Sequence, residues 1–204
     1  MRDRTTAEGF IVPTSTVAHG VGGAWEYRRG GYSLVSNATW FRRLSWRAWG
    51  AGGETSPTFV KYSAALSRDV YVNPFQKLHL NGAWFGSADV DRFGKYQFGM
   101  FEDTRLHGVP ASGVRFAEVA MARAAYSFNL FDQYRLDLFA EHAWGRDEAG
   151  QGQWQRIPAF GTAINVRTVW NTILRVDLGK SVLPDRYRGL GSSTLQIMLL
   201  KPLR

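Results

Sequence analysis

Cysteine is absent from the 204-residue chain, and lysine is scarce. Without cysteine the protein cannot hold a disulfide framework, an iron–sulfur cluster or a thiolate zinc site. The lysines are Lys61, Lys77, Lys95, Lys180 and Lys201. Arginine therefore supplies most of the positive charge behind the net +8, which keeps nucleic-acid binding among the functions to be weighed.

Long apolar runs are missing as well. No stretch approaches the roughly 20 consecutive apolar residues of a transmembrane helix. The start of the chain, residues 1–5, leads into no apolar signal-peptide core. These absences leave open a transmembrane β-barrel, because its strands carry a weaker and differently patterned signal.

What the chain does have is alternation of apolar and polar residues with a period of two. Leu174, Val176 and Leu178 are apolar, and Arg175 and Asp177 lie between them. Successive side chains of a strand point to opposite faces, so this spacing puts apolar and charged groups on opposite sides of one sheet.

Ten segments carry this pattern, with lengths near the roughly 9–11 residues of a membrane-spanning strand. They are 17–27, 32–40, 60–66, 78–84, 96–100, 115–128, 134–142, 160–167, 172–180 and 194–199. Residues 117–125 are the nearest approach to a helix, but the aromatic residues beside them favour a strand. We expect residues 1–204 to form a single all-β domain that begins with an irregular segment over 1–13.

The connections between the predicted strands alternate in length in the C-terminal half. Residues 129–133 and 168–171 form short turns, whereas residues 145–158 and 181–192 form long polar connections. A membrane barrel has this asymmetry between its two ends. Before residue 100 the connections all look fairly long, so the alternation cannot be followed there.

A soluble β-sandwich would also alternate apolar and polar residues, and two features weigh against it. The first is a row of unlike charges on the polar side: Arg135, Asp137, Glu141, Arg167, Arg175 and Asp177. The second is a set of aromatic residues near strand ends, as at membrane–water interfaces: Trp25, Tyr27, Trp40, Trp84, Phe85, Tyr126, Phe128, Trp144, Phe160 and Trp170. Together they predict an antiparallel transmembrane β-barrel with a charged lumen.

The order of motifs after residue 93 resembles a known family. The segments are Tyr96–Phe101, Arg105-Leu106-His107-Gly108-Val109, Ala122–Phe128, Leu136–Ala143, Phe160–Arg167, Leu174–Lys180 and Thr194–Leu200. In this order they resemble the C-terminal barrel of the outer-membrane insertase/translocase superfamily, the bacterial surface-antigen type that includes BamA, TamA and the two-partner-secretion translocases. The resemblance covers about half of the chain.

The resemblance implies a fold, a location and partners. It implies the C-terminal part of a sixteen-stranded barrel in the outer membrane of a Gram-negative-type bacterium, completed by an upstream part of the same protein. It also implies contact with outer-membrane lipid and with an unfolded client polypeptide during protein insertion or translocation. It implies no enzyme activity, no catalytic residue, no cofactor and no metal.

The resemblance further implies a lock between a loop and the lumen. In the family an arginine directly before the loop glycine pairs with an inward acid; here His107 stands in that place and Arg105 lies two residues earlier. Either Arg105 substitutes, pairing with Asp137 or Glu141, or the lock is missing. The residues expected in the lumen charge network and loop lock are Arg105, His107, Gly108, Arg135, Asp137, Glu141, Arg167, Arg175 and Asp177. The chain also ends in Lys201–Arg204, without the terminal aromatic residue common in such barrels.

Two alternatives remain open. One is a passive pore, or the barrel anchor of a fused enzyme such as a lipid hydrolase. The other belongs to a different class, a soluble basic β-protein that binds nucleic acid through its arginines and aromatic residues. The segments that suggest it are Arg28-Arg29 and Trp40–Trp49.

Overall fold

The computed structural model describes residues 17–45, 56–90, 94–98, 104–109, 114–131, 133–146, 152–168 and 172–201. Strands dominate these residues, and the all-β, antiparallel prediction is confirmed. The strands are β1 (Val17–Arg29), β2 (Tyr32–Ser45), β3 (Thr58–Asn73), β4 (Gln76–Ala88), β5 (Tyr96–Gln97), β6 (Arg115–Phe116), β7 (Glu118–Leu130), β8 (Tyr134–Arg146), β9 (Trp154–Arg167), β10 (Ile173–Ser181) and β11 (Ser193–Leu200). A 3-10 helix spans Asp185–Leu190. The expected irregular segment 1–13 lies outside the described residues.

Nine of the strands form one meandering sheet, in the order β1-β2-β3-β4-β7-β8-β9-β10-β11. The prediction of ten strands is therefore wrong by one, because residues 96–98 do not join this sheet. Tyr96 and Gln97 pair instead with Arg115 and Phe116 in a separate two-stranded sheet. The period of two arises there because Tyr96 and Phe98 are both buried against the large sheet.

The connections of the large sheet are short at one end and long at the other along the whole described meander. The short turns are residues 30–31, 74–75, 131–133 and 168–172, and the long connections are 46–57, 89–117, 147–153 and 182–192. The expectation that the alternation of connection lengths fails before residue 100 is wrong. That expectation treats residues 96–100 as a strand of the sheet, and it therefore divides the single connection between β4 and β7 into two. Gly30 and Gly31 allow the first turn, since both have positive φ values, 58° and 80°.

The two faces of this sheet differ in character. One face, here called the apolar face, carries large hydrophobic side chains that nothing in the described residues covers; Ile197 is 65% exposed and Leu199 70% exposed. Other members are Val21, Trp25, Leu66, Trp84, Leu138, Phe160, Ile164, Leu178 and Leu195. The opposite face, here called the polar face, carries several charged residues of β7, β8 and β10, including the buried Asp137, Glu141 and Asp177.

The hydrophobic core lies on the polar face, between the sheet and the β4–β7 connection. Buried residues of that connection are Tyr96, Phe98, Leu106, Val109, Val114 and Phe116. They pack on Val119, Met121, Ala143, Ile157 and Ala159 of the sheet. Gly145 leaves the space that the Phe116 ring occupies. This core covers β7 to β9, whereas every residue of β1 is exposed.

The sheet is open over the described residues, since no pairing joins β1 to β11. The part of the chain that the structure describes includes no helix with the length and hydrophobicity needed to span a membrane.

Candidate functional site

Residues 104–109, here called the central loop, lie across the polar face of β8 to β11. The backbone of Gly108 is bonded at both ends: its N–H donates to Thr194 Oγ1 at 3.0 Å, and its carbonyl accepts from Ser181 Oγ at 3.0 Å. Gly108 has a φ of 76° and lies directly against the backbone of Lys180 and Ser181. A side chain at this position would collide with β10, so glycine is required there.

His107 inserts its ring between two carboxylates on different strands. Its Nδ1 lies 3.0 Å from Glu141 Oε1 on β8, and its Nε2 lies 3.1 Å from Asp177 Oδ1 on β10. The ring N–H directions are not well aligned with these oxygens, so we describe both contacts as ion pairs. The backbone N–H of His107 donates to Glu141 Oε2 at 2.8 Å, a well-formed hydrogen bond.

Two glycines and an aromatic ring form the floor on which His107 rests. Phe139, Gly161 and Gly179 are register partners on β8, β9 and β10, in the row between those of Glu141 and Asp177. The His107 ring stacks on Phe139, with 4.3 Å between ring centroids. A Cβ added to Gly179 would lie 2.8 Å from His107 Cβ, too close for two carbon atoms.

Arginines complete the charge balance around the two acids. Arg123 on β7 donates to Glu141 Oε1 at 2.5 Å and also to the carbonyl of Arg105. Arg105 and Arg175 each donate to Asp177 Oδ2 at 2.8 Å. Both acids therefore contact His107 and at least one guanidinium. Burial of these charges is tolerable because each carboxylate is paired.

Asp137 belongs to a neighbouring network that the central loop does not contact. It accepts from Ser127 and Arg135, both at 2.6 Å, and from Asn165 at 2.9 Å. Arg175 lies 3.9 Å from Asp137 and links this network to the one around Asp177. Charged side chains in contact with one another therefore extend across the polar face from β7 to β10.

The environment of His107 changes its affinity for protons. Burial is the largest single influence and lowers the pKa of His107, but the contacts with Asp177 and Glu141 and the charges of these acids outweigh it. The pKa of His107 consequently lies above the ordinary value of 6.5. Burial lowers the pKa of Arg105, with the charge of Asp177 opposing that effect, and arginine stays charged throughout the working pH range.

The structure brings together most of the residues that the sequence singles out. The central loop contacts Glu141, and the second acid that it contacts is Asp177 rather than Asp137. Arg167 has an exposed side chain at the end of β9 and takes part in none of the cluster contacts described above. The two networks join Arg105, His107, Arg135, Asp137, Glu141, Arg175 and Asp177. Gly108 fixes the central loop beside them through hydrogen bonds with Thr194 and Ser181.

Sequence reasoning missed Arg123, Phe139, Gly161 and Gly179 as parts of this site. The two glycines carried a signal, because glycine inside a strand pattern often marks the close approach of another chain segment. Nothing in the sequence indicated that they would lie opposite each other, since strand register is set by the whole sheet.

The other described histidines lie elsewhere. His142 faces away from the charged row and packs on Trp144 at 4.2 Å between ring centroids. His79 pairs with Asp69, with 2.5 Å between Nδ1 and Oδ1, and Lys77 contacts the same acid at 3.2 Å. Among the described residues, no group of three or more His, Asp or Glu side chains could hold a metal ion.

Comparisons with known proteins add no relative. No protein-family model matches the chain. No curated protein matches it either.

Proposed function

We propose that this chain forms part of an antiparallel transmembrane β-barrel of surface-antigen type in the outer membrane, acting in outer-membrane protein insertion or polypeptide translocation. The observation that carries the proposal is the arrangement of the two faces. Exposed hydrophobic side chains line one face of the sheet, and buried acids line the other: Asp177 and Glu141 have no exposed side-chain surface.

This arrangement is the inverse of a soluble sheet. In a β-sandwich the apolar face packs against a second sheet, and the charges point to water. Here the core lies on the charged side, and none of the residues that the structure describes covers the apolar face along β8 to β11. A lipid environment would cover that face, since outward apolar and inward polar residues alternate along barrel strands in membranes.

The register of the sheet supports a barrel tilt. One row of paired residues runs through Arg29, Tyr32, Arg68, Leu80, Ala124, Ala140, Phe160 and Lys180. Tyr32 is the first residue of β2, whereas Lys180 lies seven residues after Ile173, the first of β10 (180 − 173 = 7). The row thus climbs about one residue, roughly 3.3 Å, for each strand spacing of about 4.8 Å. That slope corresponds to a strand tilt of roughly 35°, which suits a membrane barrel.

The directions of the edge strands bear on how such a barrel would close. β1 and β11 both run towards the short-turn end of the sheet. Antiparallel closure therefore needs an odd number of further strands, since a direct β1–β11 seam would be parallel. A sixteen-stranded barrel would need seven, which an upstream part of the same protein would supply, and an unpaired edge is costly in lipid.

The central loop favours an insertase or translocase over an open pore. Together with its apolar core it occupies the polar face of β7 to β10, which would partly plug a lumen. The acids beneath the loop are all paired with cations, which suits the positioning of a loop better than acid–base catalysis. The mechanism would be non-covalent, with an openable edge strand pairing with the backbone of an unfolded client.

A pair of substitutions on one strand tests the membrane proposal. Ile197→Arg places a charge on the apolar face of β11, and Gln196→Lys places one on the polar face opposite Asp177. In a bilayer we expect Ile197→Arg to cost about 2–4 kcal/mol near the midplane, while Gln196→Lys costs far less. Insertion would be measured by refolding into liposomes, followed by gel mobility with and without boiling. A chain that stays folded without detergent, and that tolerates Ile197→Arg as well as Gln196→Lys, would contradict the proposal.

The insertion activity needs its own assay. Proteoliposomes containing the chain would be given an unfolded outer-membrane barrel protein, and the folding rate of that client would be followed by gel mobility. We expect faster folding than in empty liposomes of the same lipid composition. An unchanged rate in vesicles that contain correctly inserted chain would contradict a role in insertion.

A further inference from the structure

The protonation state of His107 follows from its two neighbours. Each ring nitrogen faces a carboxylate oxygen, at 3.0 Å for Glu141 and 3.1 Å for Asp177. Only the imidazolium form carries an N–H on both nitrogens, because neutral imidazole has one N–H and one lone pair. In a neutral ring one of the two nitrogens would hold a lone pair while still lying beside an anion. The docked position of His107 is therefore built for the charged form.

The charged groups around His107 lie on β7, β8, β10 and the central loop, whereas β9 contributes only Gly161 beneath the ring. β7 contributes Arg123, β8 contributes Glu141, and β10 contributes Asp177 and Arg175. The central loop itself contributes Arg105, which contacts Asp177. His107 alone among these cations has an ordinary pKa near neutral pH, since arginine stays protonated. It is also the cation that bridges β8 and β10 through the central loop.

We propose that His107 acts as a proton-controlled clasp that holds the central loop on the polar face when protonated and weakens that hold when neutral. The inference rests on the contacts of the central loop and does not depend on membrane insertion. Loss of the proton removes both ion pairs of the ring while leaving Arg123 on Glu141 and Arg175 on Asp177. The sheet thus keeps its charge balance without the central loop.

The direction of the pH effect follows from the raised pKa of His107. A group whose pKa is higher in the docked than in the released state stabilises docking fully below its ordinary pKa of about 6.5. That contribution is lost as the pH rises through the docked-state pKa. Docking therefore weakens as the pH rises above about 6.5. Each unit by which docking raises the pKa corresponds to a tenfold change in the docking equilibrium.

Cysteine labelling can test the clasp cleanly, because the full chain has no cysteine of its own. Val109→Cys places a thiol in the central loop at a site that is 1% exposed, and Phe131→Cys places one at a turn site that is 84% exposed. The ratio of their labelling rates cancels the pH dependence of thiol chemistry. We expect this ratio to rise as the pH is raised from about 6 to about 9 in the folded protein.

Two further variants identify the group responsible. His107→Arg keeps its charge at every pH, so the rise should disappear, whereas His142→Gln, which changes a histidine on the apolar face, should leave it intact. Nitrogen-15 spectra of the otherwise unaltered chain provide a second readout that needs no folded His107 variant. One histidine should retain two N–H groups above pH 6.5 and lose one in step with the labelling change. A flat labelling ratio, a rise that survives in His107→Arg, or the absence of such a histidine would overturn the proposal.

Discussion

The strands β1 to β3 and the strands β7 to β10 share one alternating pattern but differ in what lies on their polar face. In β1 and β2 the polar-face positions are mostly small or uncharged, such as Gly20, Gly22 and Asn37. In β7, β8 and β10 the same face carries Arg123, Glu141, Asp177 and their partners. The central loop packs on the second region and on β11, whereas β1 is exposed throughout.

The difference teaches that charge on this face marks the site where another segment docks. Buried carboxylates need cations within contact distance; the sheet provides Arg123 and Arg175, and the central loop adds His107 and Arg105. The uncharged positions of β1 and β2 need no such partner and can face water. If this is correct, equivalent substitutions in the two regions should have very unequal effects.

The largest effect should come from removing Glu141. Glu141→Ala removes the carboxylate that both Arg123 and His107 contact, and it leaves these cations without that partner in a buried site. Breaking a buried ion pair in this way typically lowers the free energy of unfolding by about 3–5 kcal/mol. The matched change on the polar face of β3, Ser67→Ala, should cost less than about 0.5 kcal/mol. Urea unfolding of the two variants under identical conditions measures both. If both variants lost similar amounts of stability, the charged polar face would be no more important for folding than the uncharged one.

A smaller but clear effect should follow from filling the floor beneath His107. The Cβ of Gly179→Ala would lie 2.8 Å from His107 Cβ, so the central loop must shift, at a cost of about 1–3 kcal/mol. Gly23→Ala on β1 adds a methyl group with no atom within 4 Å and should be neutral. Labelling of the Val109→Cys thiol reports whether the central loop has left its site. Equal protection in both variants would show that the glycine floor does not position the loop.

Much of the sheet could be predicted from the sequence because alternation is a local signal. Segment 134–142 lies within β8, and segment 172–180 lies within β10 except for its first residue; the chain direction there follows from the short turns. Residues 96–100 were misjudged because burial of Tyr96 and Phe98 produces the same period of two without pairing to the large sheet. Local pattern reports which side chains are buried and cannot report what buries them.

The site was predictable only in its charged members. The alternating pattern identifies Asp177 and Arg175 as polar residues between apolar neighbours. The contact of His107 with Asp177 could not be predicted in this way, because it depends on how the central loop crosses the strands. Register places Asp137 and Asp177 in one row through Ala163, and the central loop reaches the Asp177 end of that row, where His107 Nε2 lies 3.1 Å from Asp177 Oδ1. Register is a property of the assembled sheet and leaves no local trace.

The smallest effect should come from the acid network around Asp69 in the first region. Asp69 on β3 contacts His79 at 2.5 Å and Lys77 at 3.2 Å, but a third of its side-chain surface is exposed. Solvent screens such pairs, so Asp69→Asn should cost about 1 kcal/mol or less. Asp177→Asn, its counterpart beneath the central loop, should cost several times more because that carboxylate is fully buried. Urea midpoints in low and high salt separate the two, since salt should weaken only the exposed Asp69 contacts. If Asp69→Asn lowered the stability as much as Asp177→Asn, and did so equally in low and high salt, the docked loop would not be what distinguishes the two regions.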